Sequence, residues 1–382
     1  MPLPPASFAF PTAIRLGPGV RGELPRALAE RGARRPLVVT DRGVAALPWF
    51  EPLLETLRAG GCEPAVFADM APNPRARDVA AGLERYRAHE ADAVVCVGGG
   101  APTDVGKAIA LLATNPGAIL EYAEDAPEPR APVAPLPPVI ALPTTAGTGS
   151  EVGRSSVIAE DETGRKRVVF QPPMLPQLVL ADPELLVGLP PALTAATGMD
   201  AVCHLVEALC ATGYHPLCDG IALEGLVLCE RALVRSFETP GDLEARRDML
   251  AASMMGAIAF QKGLGVTHAC AHALGAVHEL HHGLLNGVLL PHALRFNLTA
   301  IEAPLTRAAR ALGLDDPGPE ALVRWVERLQ RRLEIPRGLR ALGVDASSLD
   351  RVADLAACDG CLATNPRPAS RDELRALLEA AL

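Results

Sequence analysis

The run Ala93-Val94-Val95-Cys96-Val97 is apolar at every position and ends in three consecutive glycines, Gly98 to Gly100. A strand that does not alternate apolar with polar residues is covered on both faces, the condition of a central strand in a parallel sheet. Further short runs of this kind are Leu37–Thr40, Ala65–Phe67, Val139–Leu142, Ser155–Ala159, Val168–Gln171 and Leu178–Ala181. Helix-like stretches, Arg77–His89 and Asp104–Ala113, lie among the early ones. Strand, helix, strand at this spacing predicts βαβ units.

After about Gly188 the strand candidates stop. Leu, Ala, Arg and Glu then recur at helical spacing, as in Leu223–Phe237, Leu243–Phe260, Glu320–Leu333 and Arg371–Leu382. The expected organisation is an α/β domain over residues 1–187 and an all-helical domain over 188–382. The chain has 382 residues, enough for two cores. Hydrophobic residues at 49% and charged residues at 21% exclude a disordered chain. A formal net charge of −9 disfavours nucleic acid or an anionic membrane as partner. Pro, Gly and charges interrupt every apolar run before the roughly 20 residues of a membrane helix. The amino terminus has no basic region followed by an apolar stretch, so no signal peptide is read and a cytoplasmic protein is expected. The 9 cysteines are an odd number and lie mostly in apolar segments, the pattern of reduced, buried thiols. One C-x-x-C, Cys358 to Cys361, has no second ligand pair nearby to complete a structural zinc site. The Pro-rich segment Asp125–Pro138 reads as an extended surface loop.

Two glycine-containing loops follow strands. The triplet Gly98–Gly100 precedes a helix expected to begin at Pro102, where free N–H groups and the helix dipole suit a phosphate. The spacing is not G-x-G-x-x-G, and Lys107 is not followed by Ser or Thr as in a Walker loop. The second loop, Pro143 to Glu151, holds Thr144, Thr145, Gly147, Thr148 and Gly149. Each alone is compatible with a plain tight turn; two at the carboxyl ends of parallel strands describe a nucleotide crevice. Asp41 ends what reads as the first strand. It either accepts hydrogen bonds from an adenosine ribose, favouring NAD over NADP, or caps the next helix.

There are 9 histidines, and all but His89 fall between His204 and His292. Asp200 and His204 are four apart in a helical segment and share a face, as do His268 and His272. His278, His281 and His282 follow. A carboxylate with several imidazoles suits Fe²⁺ or Zn²⁺. His89, His215 and His292 read as packing histidines, and His281 and His282, being adjacent, cannot both point at one metal.

In combination the motifs GGGAPTDVGK, PTTAGTGSE, GMDAVCH and HACAHALGAVHELHHGLLNGVLLPH resemble those of the iron-containing (group III) alcohol dehydrogenases, in the same order along nearly the whole chain. The resemblance implies an N-terminal dinucleotide-binding domain with a parallel sheet, an all-α C-terminal metal-binding domain (the dehydroquinate synthase-like fold), and a site in the cleft. It carries the metal ligands to Asp200, His204, His268 and His282, and places His272 beside the substrate as the catalytic proton-transfer residue. It carries NAD contacts to Asp41, Asn73, Gly99, Gly100, Ala101, Thr144, Thr145 and Lys166. Ala101 stands where many members have Ser, and Gly106 where Ala is usual.

The implied activity is hydride transfer between a small alcohol or aldehyde and NAD(H), with Fe²⁺, or Zn²⁺ as the alternative, acting as Lewis acid. A homodimer is expected from the same resemblance. The alternatives are a maleylacetate-type reductase and a dehydroquinate synthase-like lyase, the latter disfavoured because its metal set is a glutamate with two histidines.

Overall fold

The computed structural model describes residues 8–10 and 12–382. The first residues of the stretch examined for a signal peptide lie outside the described residues. Two compact units result: residues 12–145 with Gly149–Gly188, and Leu189–Leu382 with Ala146–Thr148 and residues 8–10.

The first unit holds eight strands: β1 (Ala13–Leu16), β2 (Pro36–Val39), β3 (Ala65–Phe67), β4 (Ala93–Gly98), β5 (Val139–Pro143), β6 (Ser155–Ala159), β7 (Lys166–Phe170) and β8 (Leu178–Ala181). Its helices are α1 (Leu24–Ala29), α2 (Arg42–Ala45), α3 (Phe50–Ala59), α4 (Ala76–Ala88) and α5 (Gly100–Thr114). Six strands form a parallel sheet in the order β1-β8-β5-β4-β2-β3. β4 is buried at every position, as its unbroken apolar run requires. Alternate residues Leu37, Val39, Val94, Cys96, Val139 and Ala141 share a core with Val79 and Leu83 of α4 and Val105 and Ile109 of α5. The chain passes outward from β2 to β3, then returns to lay β4 on the other side of β2. This reversal opens a crevice at the carboxyl ends of β2 and β4, where open α/β sheets bind ligands.

Three sequence expectations are corrected. β1 was not read from the sequence, so Asp41 follows the second strand rather than the first; β1 is a four-residue edge strand, too short and too exposed to stand out. β6 and β7 do not join the parallel sheet but pair with each other as an antiparallel hairpin. α5 begins at Gly100, not at Pro102. The glycines are imposed by close approach: a Cβ on Gly98 would lie 2.5 Å from Pro102, and one on Gly99 2.9 Å from the Thr145 hydroxyl.

The second unit is built of helices: α6 (Pro191–Cys210), α7 (Pro216–Glu238), α8 (Leu243–Ala259), α9 (Val266–His278), α10 (His282–Asn297), α11 (Glu302–Ala311), α12 (Pro319–Arg332), α13 (Leu349–Ala356) and α14 (Arg371–Ala380). No strand occurs among its described residues. α6 packs against α7, α8 and α10 and is buried along almost its entire length. With 20 residues it is apolar and long enough to span a bilayer, against the expectation that no run reaches that length. Its burial inside the unit, with Asp200, His204 and Glu207 on it, marks it as a core helix. Trp325 of α12 is fully buried and donates its indole N–H to Glu230 at 2.5 Å.

Candidate active site

Helical spacing brings Asp200, His204 and Glu207 of α6 onto one face, since they stand at i, i+4 and i+7. α9 contributes His268 and His272 by the same rule, and α10 starts at His282 with Asn286 one turn on. His281 caps α10 by accepting the Leu284 N–H, which leaves His282 to face the other helices. The Nε2 atoms of His204, His268 and His282 stand 3.8, 3.9 and 3.6 Å from one oxygen of Asp200. The rings of His204 and His268 are stacked with centroids 4.7 Å apart. Asp200, His204 and His268 are buried, whereas His282 and His272 keep about a quarter of their side chains exposed, so the cluster opens on their side.

This arrangement sets a carboxylate and three ring nitrogens against one another. The Asn286 amide is the hydrogen-bond donor found among them: it donates to Asp200 at 2.7 Å and approaches Nε2 of His268 and His282 at 3.2 and 3.1 Å. One donor shared by three acceptors, all facing inward, fits a site for a divalent cation. Burial pushes His204 down to about 4, against the opposing pull of Asp200, so its imidazole is neutral and its lone pair free for a metal.

Glu207 supplies what the sequence left open, a partner for the far side of a ligand histidine. Its carboxylate lies 2.5 Å from Nδ1 of His268, and its other oxygen accepts the Thr267 N–H at 2.8 Å. Burial opposes a charge on both groups, but their hydrogen bond and mutual attraction prevail, lowering Glu207 and raising His268. Nδ1 of His268 therefore carries the proton and Nε2 faces the cluster. The i+7 position of Glu207 was a readable signal. Asn286 had one too, being four residues beyond His282. Asp359, whose carboxylate accepts Nδ1–H of His272 at 2.9 Å, had none, being 87 residues away.

The positions expected to contact NAD lie in the first unit. Gly99, Gly100 and Ala101 form the half-buried start of α5, with no side chain capping its first N–H groups. Thr144 and Thr145 follow β5, and the Thr144 N–H donates to the Gly98 carbonyl, tying the two loops together. Lys166 opens β7 opposite Ala159, whose N–H donates to Pro74, next to Asn73. Asp41 caps α2, one oxygen accepting the Val44 N–H at 2.9 Å, and is partly exposed. Lys107 is fully buried: its ammonium donates to the Ser150 hydroxyl and carbonyl, to the Ser155 carbonyl, and pairs with Asp104. It pins the β5–β6 connection to α5.

Among the remaining histidines, His215 caps α7 by accepting the Cys218 N–H, and His89 contacts the Glu63 carbonyl. All nine cysteines are free.

Comparison with known proteins identifies the family. The profile of "Iron-containing alcohol dehydrogenase" matches residues 11–183, and that of "Fe-containing alcohol dehydrogenase family, C-terminal" matches 194–382. The chain belongs to the iron-containing alcohol dehydrogenase family. A 4-hydroxybutyrate dehydrogenase of Cupriavidus necator is 39% identical, over 98% of this chain and 99% of the relative. The solved structure of a 1,3-propanediol oxidoreductase superposes with a TM-score of 0.94 at 35% identity, covering 99% of this chain and 100% of that one. A sulfoacetaldehyde reductase from Bifidobacterium kashiwanohense, solved in complex with NAD⁺, gives 0.90 at 29% identity over 98% of both chains. The enzyme is thus a metal-dependent oxidoreductase that transfers hydride between an alcohol or aldehyde and NAD(H).

Proposed function

We propose that this enzyme interconverts a short primary alcohol and its aldehyde, and that its preferred alcohol carries a second polar group a few carbons away. Support for the substrate class comes from the relatives that act on 4-hydroxybutyrate and 1,3-propanediol. The single observation that carries the metal site is the convergence of three Nε2 atoms on one oxygen of buried Asp200.

Asp200, His204, His268 and His282 hold the cation, Fe²⁺ in our reading with Zn²⁺ as the alternative. When bound, that cation supplies Lewis-acid polarisation of the alcohol or aldehyde oxygen. The chain's own residues do the rest. Glu207 orients His268. His272, stacked on His282 with centroids 5.2 Å apart and partly exposed, receives the proton that the alcohol releases and hands it outward. Gly99, Gly100 and Ala101 receive the pyrophosphate of NAD at the α5 N-terminus, and Thr144 and Thr145 the adjoining part of the dinucleotide. Asn73, Lys166 and the free oxygen of Asp41 complete the binding. NAD binding is assigned to residues 1–187 and metal binding to 188–382. We further propose a homodimer in the cytoplasm; for the dimer, β1, with Leu16 exposed, offers a sheet edge that no described strand pairs.

The test is metal content and NADH formation on one anaerobically purified sample, with and without added Fe²⁺ or Zn²⁺. The substrates are short alcohols, 1,3-diols and ω-hydroxy acids. The expected result is near-stoichiometric metal, metal-dependent oxidation strongest with the bifunctional alcohols, and loss of both metal and activity in His268→Ala. Bound metal without oxidation of any alcohol would overturn the reading and turn the search to maleylacetate reduction or lyase chemistry.

A further inference from the structure

The Cys358-x-x-Cys361 segment has no second ligand pair near it in sequence, yet it frames Asp359, which reaches back to α9. We propose that Asp359 is a positioning residue for His272, fixing the ring so that Nε2 is presented at the open side of the metal cluster. The inference rests on the reading of His272 given above.

Three observations carry it. First, Oδ2 of Asp359 lies 2.9 Å from Nδ1 of His272, so Nδ1 bears the hydrogen and Nε2 the lone pair. Second, the carboxylate is itself held: its other oxygen accepts the Cys361 N–H at 2.9 Å, and its side chain is only 19% exposed. A carboxylate anchored at both oxygens fixes the plane of the ring it binds. Third, that plane is set against the cluster. The His272 ring stacks on His282 at an interplanar angle of 14° and meets His268 edge-on at 5.9 Å. The arrangement parallels Glu207 behind His268, but at a histidine outside the ligand set.

In the forward reaction the alcohol's carbon-bound hydride passes to NAD⁺. The hydroxyl proton passes to Nε2 of His272 and from there to water. The Nδ1–H stays on the ring, and Asp359 takes no proton. The products are aldehyde, NADH and one proton, so the step balances. One atom each of His272, Asp359 and Cys361 lie within 4.8 Å of one another, which is also the form of a second metal site. The experiment separates the two.

The variants are Asp359→Asn, Asp359→Ala, His272→Ala and the double variant Asp359→Ala/His272→Ala. Asn keeps an acceptor for the Cys361 N–H, so Asp359→Asn preserves the local fold. We expect one metal per chain throughout, unchanged NADH affinity, and kcat about 10- to 100-fold lower in both Asp359 variants with little change in KM. Formate should restore part of the loss in Asp359→Ala. In Zn²⁺-loaded, histidine-¹⁵N-labelled protein, Asp359→Asn should change the tautomer signal of the His272 ring. The double variant should be no slower than His272→Ala. An equal further loss on the His272→Ala background would overturn the proposal, as would a second metal equivalent lost with Asp359. If His272→Ala turns over normally, the reading of His272 fails instead, which the wild-type and single-variant rates show directly.

Discussion

Single residues carry costs that their neighbours explain. Glu151 is 3% exposed, and its Oε1 has no hydrogen-bond partner among the described residues. Burial pushes its carboxyl up to about 7. In the unfolded chain Glu151 loses its proton near pH 4.5, while the folded state keeps it until about 7. Stability therefore falls as pH rises across that window and is level above it, a loss on the order of 3 kcal/mol. Glu151→Gln should remove this slope, so its denaturation midpoint should exceed wild type at pH 8 and match it near pH 4.5. A second residue-scale feature is the pairing of Gly106 with Cys96. A Cβ on Gly106 would lie 2.3 Å from the Cys96 sulfur. Gly106 thus makes room for the Cys96 side chain of the strand beneath, a fit invisible until β4 and α5 are packed together.

At the scale of elements, helices and their faces were legible because the 3.6-residue period is written into the sequence. Asp200 and His204 on α6, and His268 and His272 on α9, could be grouped before any coordinates. The same period contained Glu207, and its role predicts an outcome: Glu207→Gln should weaken metal binding about 10- to 100-fold in a chelator-competition titration, with the helical content of the circular-dichroism spectrum unchanged. Strand partners were less legible. The residues of β6 and β7 read correctly as strands, but a period of two says nothing about which strand lies alongside, so their hairpin was hidden among parallel candidates. Asp359 was illegible for the same kind of reason: its partner is set by the docking of the last 3-10 turn on α9, not by local spacing.

For the whole molecule, two units with one tryptophan each allow ligand effects to be localised. Trp49 lies in the α/β unit and Trp325 in the core of the helical unit. A metal held only by the folded helical unit stabilises it by about 2.7 kcal/mol at a hundredfold excess over Kd. Chelation should therefore lower the melting transition reported by Trp325 in Trp49→Phe, and NADH should raise the one reported by Trp49 in Trp325→Phe. No shift at Trp325 on chelation would remove the metal from α6, α9 and α10. The change from an α/β to an all-helical architecture was visible in the sequence, because β-branched runs give way there to Leu, Ala, Arg and Glu at helical spacing.

The Asn286 amide, lodged among the candidate ligands, ties three helices at one point. Its donor on α10 answers the carboxylate of Asp200 on α6 and the ring nitrogen of His268 on α9, as well as His282 one turn back on its own helix. A shift of any one of these helices is therefore felt by the other two where the candidate ligands meet.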